Sequence, residues 1–236
     1  GIREREPILD LFEAMLGQRL LPNAYPIGGV RFDFPKGWVP VCRKLLAELP
    51  KKVDDYETLL TGNRIWVQRT KGVGVISARD AVALSLSGPT LRGSGVYFDV
   101  RKAMPYSSYE DFDFEVPLGQ NGDVFDRYLC RVREMRQSLR IIQQALDGMP
   151  EGELRGKVGK IIRPPVGEAY YSVEAAKGQL GYYIVSDGSD KPWRLHVRSP
   201  SFLNLQGIET MSRGGLIADV VAVIGSLDIV LGEVDR

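Results

Sequence analysis

Residues 168–198, EAYYSVEAAKGQLGYYIVSDGSDKPWRLHVR, decide the fold class. Here Tyr171, Val173 and Ala175 alternate with Tyr170, Ser172 and Glu174. Leu180, Tyr182 and Ile184 alternate with Gly181, Tyr183 and Val185, and Trp193, Leu195 and Val197 with Arg194, His196 and Arg198. A period of two marks strands, and the Lys177-Gly178 and Ser186–Asp190 turns make them an antiparallel meander. Upstream the period is helical. From Asp123 to Leu146 the apolar residues Val124, Tyr128, Val132, Met135, Leu139, Ile142 and Leu146 form one stripe, closed by Gly148 and Pro150. Helices first and sheet second define an α+β fold, with a mainly helical part over 1–150 and an α+β part over 151–236.

Working outward, Ile8, Leu11, Phe12, Met15 and Leu16 predict a first helix ending at Gly17. Two short helices follow over about 37–49 and 51–61, separated by Pro50. Ser77 and Asp80 cap a short helix. The Gly-, Pro- and Tyr-rich stretch 88–122 reads as an ordered, irregular connection with a short strand at 112–116, in which Asp99 and Arg101 pair to order the chain. Residues 151–167 are a Gly- and Lys-rich connector, and a terminal helix spans about 215–224. Arg127, Arg131, Arg133, Arg136 and Arg140 read as a solvated helix face.

Composition excludes several functions. With 31 Lys and Arg against 30 Asp and Glu, nothing calls for nucleic acid or an anionic surface as partner. Cys42 and Cys130 have no ligand-like spacing and His196 no second imidazole, so neither a protein-only metal site nor a disulfide framework is indicated. The apolar stretch 215–232 is interrupted by Asp219 and Asp228, short of the roughly 20 apolar residues a spanning helix needs. His196, between Arg194 and Arg198 in a strand, is a poor general base and reads as a sheet-edge residue. Gly72-Val73-Gly74 and Gly93-Ser94-Gly95 match no nucleotide-binding fingerprint and read as loop geometry. No nucleophile and base stand together, so no catalytic residue is assigned. The opening Gly1–Glu6 reads as the interior of a longer polypeptide.

Particular strings go further. Gly28–Arg31, Leu91–Gly95, Asp99–Tyr106, Gly122–Tyr128, Ile184–Gly188, Arg198–Phe202 and Gly232–Arg236 resemble, in order and across the chain, the hydrogenase-like D subunit of NADH:quinone oxidoreductase, respiratory complex I. That family is related to nickel-iron hydrogenase large subunits, whose C-terminal Asp-Pro-Cys-x-x-Cys supplies metal thiolates. Here the similar stretch is Asp228–Glu233, with Val230 and Glu233 at the cysteine positions, so a nickel-iron centre has no thiolates to hold it.

The resemblance implies a peripheral-arm subunit, the C-terminal part of it, on the cytoplasmic side of the cell membrane, or the matrix or stromal side in an organelle. It packs against the neighbour carrying the terminal 4Fe-4S cluster and forms the quinone site with it. Electrons arrive from NADH through that neighbour, and quinone reduction drives proton translocation in the membrane arm. This chain itself binds no cofactor. By the same resemblance Asp228, Val230 and Arg236 line the quinone pocket, Val230 as apolar wall and the charged pair as orienting groups.

The family's headgroup-binding histidine and tyrosine fall outside this sequence, which implies that the isolated chain is inactive. Leu21, Ala24 and Pro26 replace a histidine, tyrosine and arginine common in the family, and the connector 151–167 is shorter than in many relatives. The competing readings are a non-catalytic scaffold or assembly module of a related membrane-bound oxidoreductase or hydrogenase complex, and a working hydrogenase large chain. The missing thiolates oppose the latter.

Overall fold

The structure is a computed structural model and describes residues 1–235. Helix α1 (Ile2–Leu16) ends as expected at Gly17, which turns left-handed at φ 71° and returns its N–H to the Glu13 carbonyl at 2.8 Å. Helix α2 (Trp38–Tyr56) crosses α1, with Trp38 Nε1 donating to the Leu11 carbonyl at 2.9 Å. It corrects the expected break, because the helix runs through Pro50 and ends only in a single π turn at Glu57–Thr61. An interior proline costs about 3 kcal/mol. Cys42 and Leu46 before Pro50 and Val53 after it are all buried, and this packing on both sides keeps the helix whole.

Three short helices start on side-chain caps, of which the sequence marks the one at Ser77. Asn63 Oδ1 accepts from the Ile65 and Trp66 amides to start α3 (Arg64–Thr70), and Ser77 Oγ accepts from the Asp80 amide to start α4 (Ala78–Ala83). Asp99 caps α6 (Val100–Ala103), which follows α5 (Gly88–Arg92) and precedes a 3₁₀ turn at Tyr109–Asp111. Asp99 also grips Arg101 through both oxygens, at 2.9 and 2.6 Å, so this pair orders the segment as its sequence implies.

The strand expected at 112–116 does not form; these residues belong to no strand. Their extended backbone is held by side-chain amides instead. The Asp113 amide donates to Gln144 Oε1 (2.9 Å), the Gln144 amide group donates back to the Asp113 carbonyl (2.8 Å), and the Glu115 amide donates to Gln137 (3.1 Å). Both glutamines lie on α7 (Val124–Asp147), so a helix takes the place of the partner strand.

Helix α7 starts at Asp123, whose two oxygens accept from the Asp126 and Gly72 amides. Its stripe is buried at Val124 and Val132 but exposed at Met135 and Ile142. The arginines around it divide. Arg133 and Arg140 face solvent, whereas Arg127 is fully buried, which corrects the reading of all five as a solvated face.

The meander forms as read: β1 (Gly167–Ala175), β2 (Gly178–Ser186) and β3 (Arg194–Arg198) pair antiparallel in that order, with Ala175 opposite Gly178 and Tyr170, Tyr183 and His196 in one cross-strand row. His196 is exposed on the edge strand. Helices α8 (Pro200–Leu205), α9 (Gly207–Ser212), α10 (Ile217–Leu227) and α11 (Leu231–Val234) complete the chain. The main core joins Ile76, Ala81, Leu86, Leu91 and Val124 to Met211, Val223 and Leu227, so the last helices pack directly on the irregular segment and the start of α7.

Candidate functional site

Helix α10 stops at Asp228, whose backbone is left-handed at φ 55°, ψ 48°. Aspartate is among the few non-glycine residues that enter this region readily. The reversal sets the Asp228 carboxylate against two cations: Lys177 Nζ lies 2.6 Å from Oδ2 and Arg131 Nε 3.5 Å from the same oxygen. The side chain of Asp228 remains 43% exposed.

Lys177 is held from behind. It sits in the two-residue turn between β1 and β2, and its carbonyl accepts from Nδ2 of the fully buried Asn204 on α8 at 3.1 Å. The same amide's Oδ1 accepts from the Ser87 N–H at 3.1 Å, and Ser87 Oγ accepts from the Gln179 amide at 3.1 Å. Gly88 and Gly178 let the two backbones touch. A Cβ on Gly88, where φ is +65°, would lie 2.6 Å from Gly178 Cα.

The stretch similar to the hydrogenase thiolate element follows. Val230 is 47% exposed and donates its N–H weakly to Ser201 Oγ at 3.4 Å. Glu233 is buried, and its Oε2 accepts from both the Ser201 amide (3.0 Å) and the Ser201 hydroxyl. Valine offers a metal no donor atom, and the Glu233 carboxylate is engaged with Ser201. Both cysteines are buried elsewhere, Cys42 on α2 and Cys130 on α7. The donor set therefore does not fit a thiolate-bound metal.

Of the three residues assigned to the quinone pocket, Asp228 and Val230 stand two residues apart on the exposed tail, and Arg236 lies outside the described residues. Two surface hollows, of about 450 and 350 Å³, are lined by the start of the chain and α1, by α2, the π turn and residues 35–37, and Asp228 and Val230 border neither. The sequence does not single out Lys177 or Arg131 for this site. Lys177 reads there only as a turn residue, and a lysine in a tight turn carries no local sign that the turn meets the end of a distant helix.

One buried charge cluster and one buried arginine among neutral acceptors lie elsewhere in the core. The Arg92 side chain on α5, fully buried, bonds Glu134 (2.8 Å), Glu174 (2.8 Å) and the Phe98 carbonyl (3.0 Å), with Asp99 at 3.5 Å. Burial pushes the Glu174 carboxyl above its ordinary range, with Asp99 adding to the rise and Arg92 opposing it. Burial acts to raise Asp99 too, but Arg101 and Arg92 outweigh it and hold this carboxyl low.

On α7, Arg127 meets neutral acceptors: Gly74 and Gly122 carbonyls (2.9 and 2.8 Å) and Ser226 Oγ (2.9 Å). Burial, helped by neighbouring Arg131, pushes it down to about 10, still charged at neutral pH. The Gly74 and Gly93 turns are shaped around this side chain, since a Cβ at Gly74 would meet Arg127 Nη2 at 3.1 Å and one at Gly93 would meet Arg127 Cγ at 2.7 Å, as loop geometry implies. Likewise Gly28 and Gly29 lie against the connector, with the Gly156 amide donating to the Gly28 carbonyl and the Val30 amide to the Leu154 carbonyl, both at 2.9 Å.

The α+β architecture and a C-terminal tail without thiolates define the class of protein expected from the sequence. All residues, 1–236, match the family described as respiratory-chain NADH dehydrogenase, 49 kDa subunit, and the chain belongs to that family. It is 57% identical over 235 residues to the D 2 subunit of NADH-quinone oxidoreductase from Solibacter usitatus. It is 56% identical over 233 residues to the D subunit of NADH-quinone oxidoreductase from Desulforamulus reducens. These alignments cover 100% and 99% of the chain, which spans 64% of the length of either relative.

Proposed function

We propose that the chain works as a peripheral-arm subunit of NADH:quinone oxidoreductase, complex I, where its tail forms one wall of the quinone site beside the terminal iron–sulfur cluster of a partner subunit. The observation that carries this reading is the tail itself, a half-exposed Val230 two residues from a carboxylate that shares two cations. A quinone headgroup is a flat apolar ring with polar oxygens at its ends, and a site for it needs apolar wall and a few placed polar groups. Val230 supplies the wall. Asp228 and its cations supply the polar end, and Arg236 is assigned to the same site.

The names of the relatives, both quinone oxidoreductases, support the substrate class. Electrons from NADH reach the quinone through the partner's cluster, and reduction is coupled to proton translocation by the membrane arm. The chain sits at the cytoplasmic face of the membrane, or the matrix or stromal face of an organelle. Among the described residues no helix is long and apolar enough to cross a bilayer.

The test is Val230→Met in the intact complex. Lengthening the wall is expected to lower quinone reductase activity and to change sensitivity to quinone-site inhibitors, with assembly normal. Unchanged activity and sensitivity in a fully assembled complex would remove the tail from the site.

A further inference from the structure

The outer strand of the sheet is sealed at one end and open at the other. In an antiparallel pair, opposed residues alternate between those that exchange both backbone hydrogen bonds and those whose N–H and C=O turn away from each other. Glu174 and Gln179 are an opposed pair of the second kind. The Glu174 N–H donates to Tyr106 Oη at 3.1 Å and the Tyr106 hydroxyl donates to the Glu174 carbonyl at 3.4 Å, while the Gln179 N–H donates to Ser87 Oγ at 3.1 Å. Counted back in twos along β1, Ser172, Tyr170 and Glu168 also turn their N–H and C=O away from β2.

Tyr106 seals that edge at Glu174, and Ser172 next to it is buried. At Tyr170 and Glu168 nothing among the described residues meets the outward N–H and C=O groups, and Gly167–Tyr171 is exposed throughout. The sheet's other edge is guarded. β3 is five residues long and bears Arg194, His196 and Arg198, and short charged strands resist pairing. The start of β1 carries one charge, Glu168, which accepts from the Tyr183 hydroxyl.

The side chains along this edge favour a particular occupant. Tyr171 and Tyr182 stand in one cross-strand row and Ala169, Ile184 and Leu195 in the next, all on the same face, and Tyr171, Tyr182, Ile184 and Leu195 are exposed. A strand laid along β1 extends both rows, with every second side chain packing beside Tyr171.

We propose that Gly167–Tyr171 is a docking edge for a fourth strand, an extended segment with an apolar residue at every second position, supplied by the same subunit. The chain spans 64% of the length of either relative, and the rest of that length is the source of the segment. A strand tethered to the sheet it joins meets the edge at high effective concentration, where a separate chain first loses its translational freedom. The outward groups of Glu168 and Tyr170 supply the main-chain hydrogen bonds, and the apolar face around Tyr171 selects the side chains.

The experiment places a photo-crosslinking side chain at Tyr171 in the intact complex and maps the linked peptide. Hydrogen exchange at the Glu168 and Tyr170 amides is compared between the complex and the 236-residue chain alone. Links are expected to a segment of the same polypeptide outside the 236 residues, and both amides are expected to exchange at least about a hundredfold more slowly in the complex. Links to another subunit, to a second copy or only to residues of the 236 overturn the proposal, and so does equal exchange.

Tyr170→Pro and Tyr170→Ala give an independent measure. Proline removes the outward N–H without removing a hydrogen bond between β1 and β2, and alanine removes only the side chain. Tyr170→Pro is expected to lower the yield of assembled complex several-fold below that of Tyr170→Ala, and equal yields count against the docked strand. Should Tyr170→Pro fail to fold, the cross-links and the exchange of the parent protein still decide. None of these readouts involves quinone turnover, so their outcome is separate from that of Val230→Met.

Discussion

Asn204, fully buried on α8, donates its side-chain N–H to the main-chain carbonyl of Lys177 at 3.1 Å. Its other end accepts from the Ser87 amide, so one side chain ties the β1–β2 turn to the start of α5. Asn204→Ala leaves a buried donor and a buried acceptor unpaired. The expected loss is about 2–4 kcal/mol, measured by chemical unfolding. A change below about 0.5 kcal/mol would show that water or a shifted neighbour replaces both bonds.

Gly88 and Gly72 separate conformational strain from contact. Both have positive φ, +65° and +69°, but a Cβ at Gly72 meets nothing within 4 Å, while at Gly88 it strikes the Lys177–Gly178 backbone. Gly72→Ala is expected to cost roughly 1–2 kcal/mol, the left-handed penalty alone. Gly88→Ala should cost clearly more, with thermal unfolding as the measure, and equal costs would deny the close approach.

The buried acids around Arg92 give a pH signature. Glu174 has its folded pKa above the unfolded value of 4.5, so its contribution to stability is fully present below that value and is lost as pH rises through the folded pKa. Asp99 runs the other way. Its contribution is present above 3.8 and is lost as pH falls through its lower folded pKa. Glu174→Gln removes the first effect, so the stability of the parent relative to this variant should grow on acidification toward pH 4.5. Melting curves of both proteins across that range would show it, and parallel curves would contradict it.

Arg127 uses three nitrogens on three separate oxygens, from Gly74, Gly122 and Ser226. Lysine brings a single nitrogen and cannot span them. Arg127→Lys is expected to destabilise by about 2–4 kcal/mol by chemical unfolding, despite the conserved charge. A near-neutral result would mean that the guanidinium's geometry is dispensable.

What is legible in the sequence is local. The alternation from Tyr170 to Arg198 gives the three strands and places His196 on an edge, and Asp123, Ser77 and Gly17 mark helix ends because caps act through neighbouring backbone. What fails depends on distant partners. Pro50 reads as a break until α1 and α7 are seen to hold both sides of it, and residues 112–116 read as a strand although their partners are glutamines on a helix. Arg127 looks like its solvated neighbours, and only Gly74, Gly93 and Ser226, far apart in the chain, reveal a cavity for it. At the tail, Asp228 and Val230 follow from family resemblance, whereas Lys177 and Arg131 require the fold.

The contact between Gly88 and Gly178 is made by main chain on both sides, and main chain has no rotamers with which to yield. The turn carrying Lys177 can therefore travel only together with α5, and α5 ends in Arg92, clamped to Glu134 of α7 and Glu174 of β1. The turn and the buried acids thus belong to one stiff unit, and compliance is left to the flexible four-carbon stem of the Lys177 side chain. Any displacement of that turn is therefore shared by the whole block.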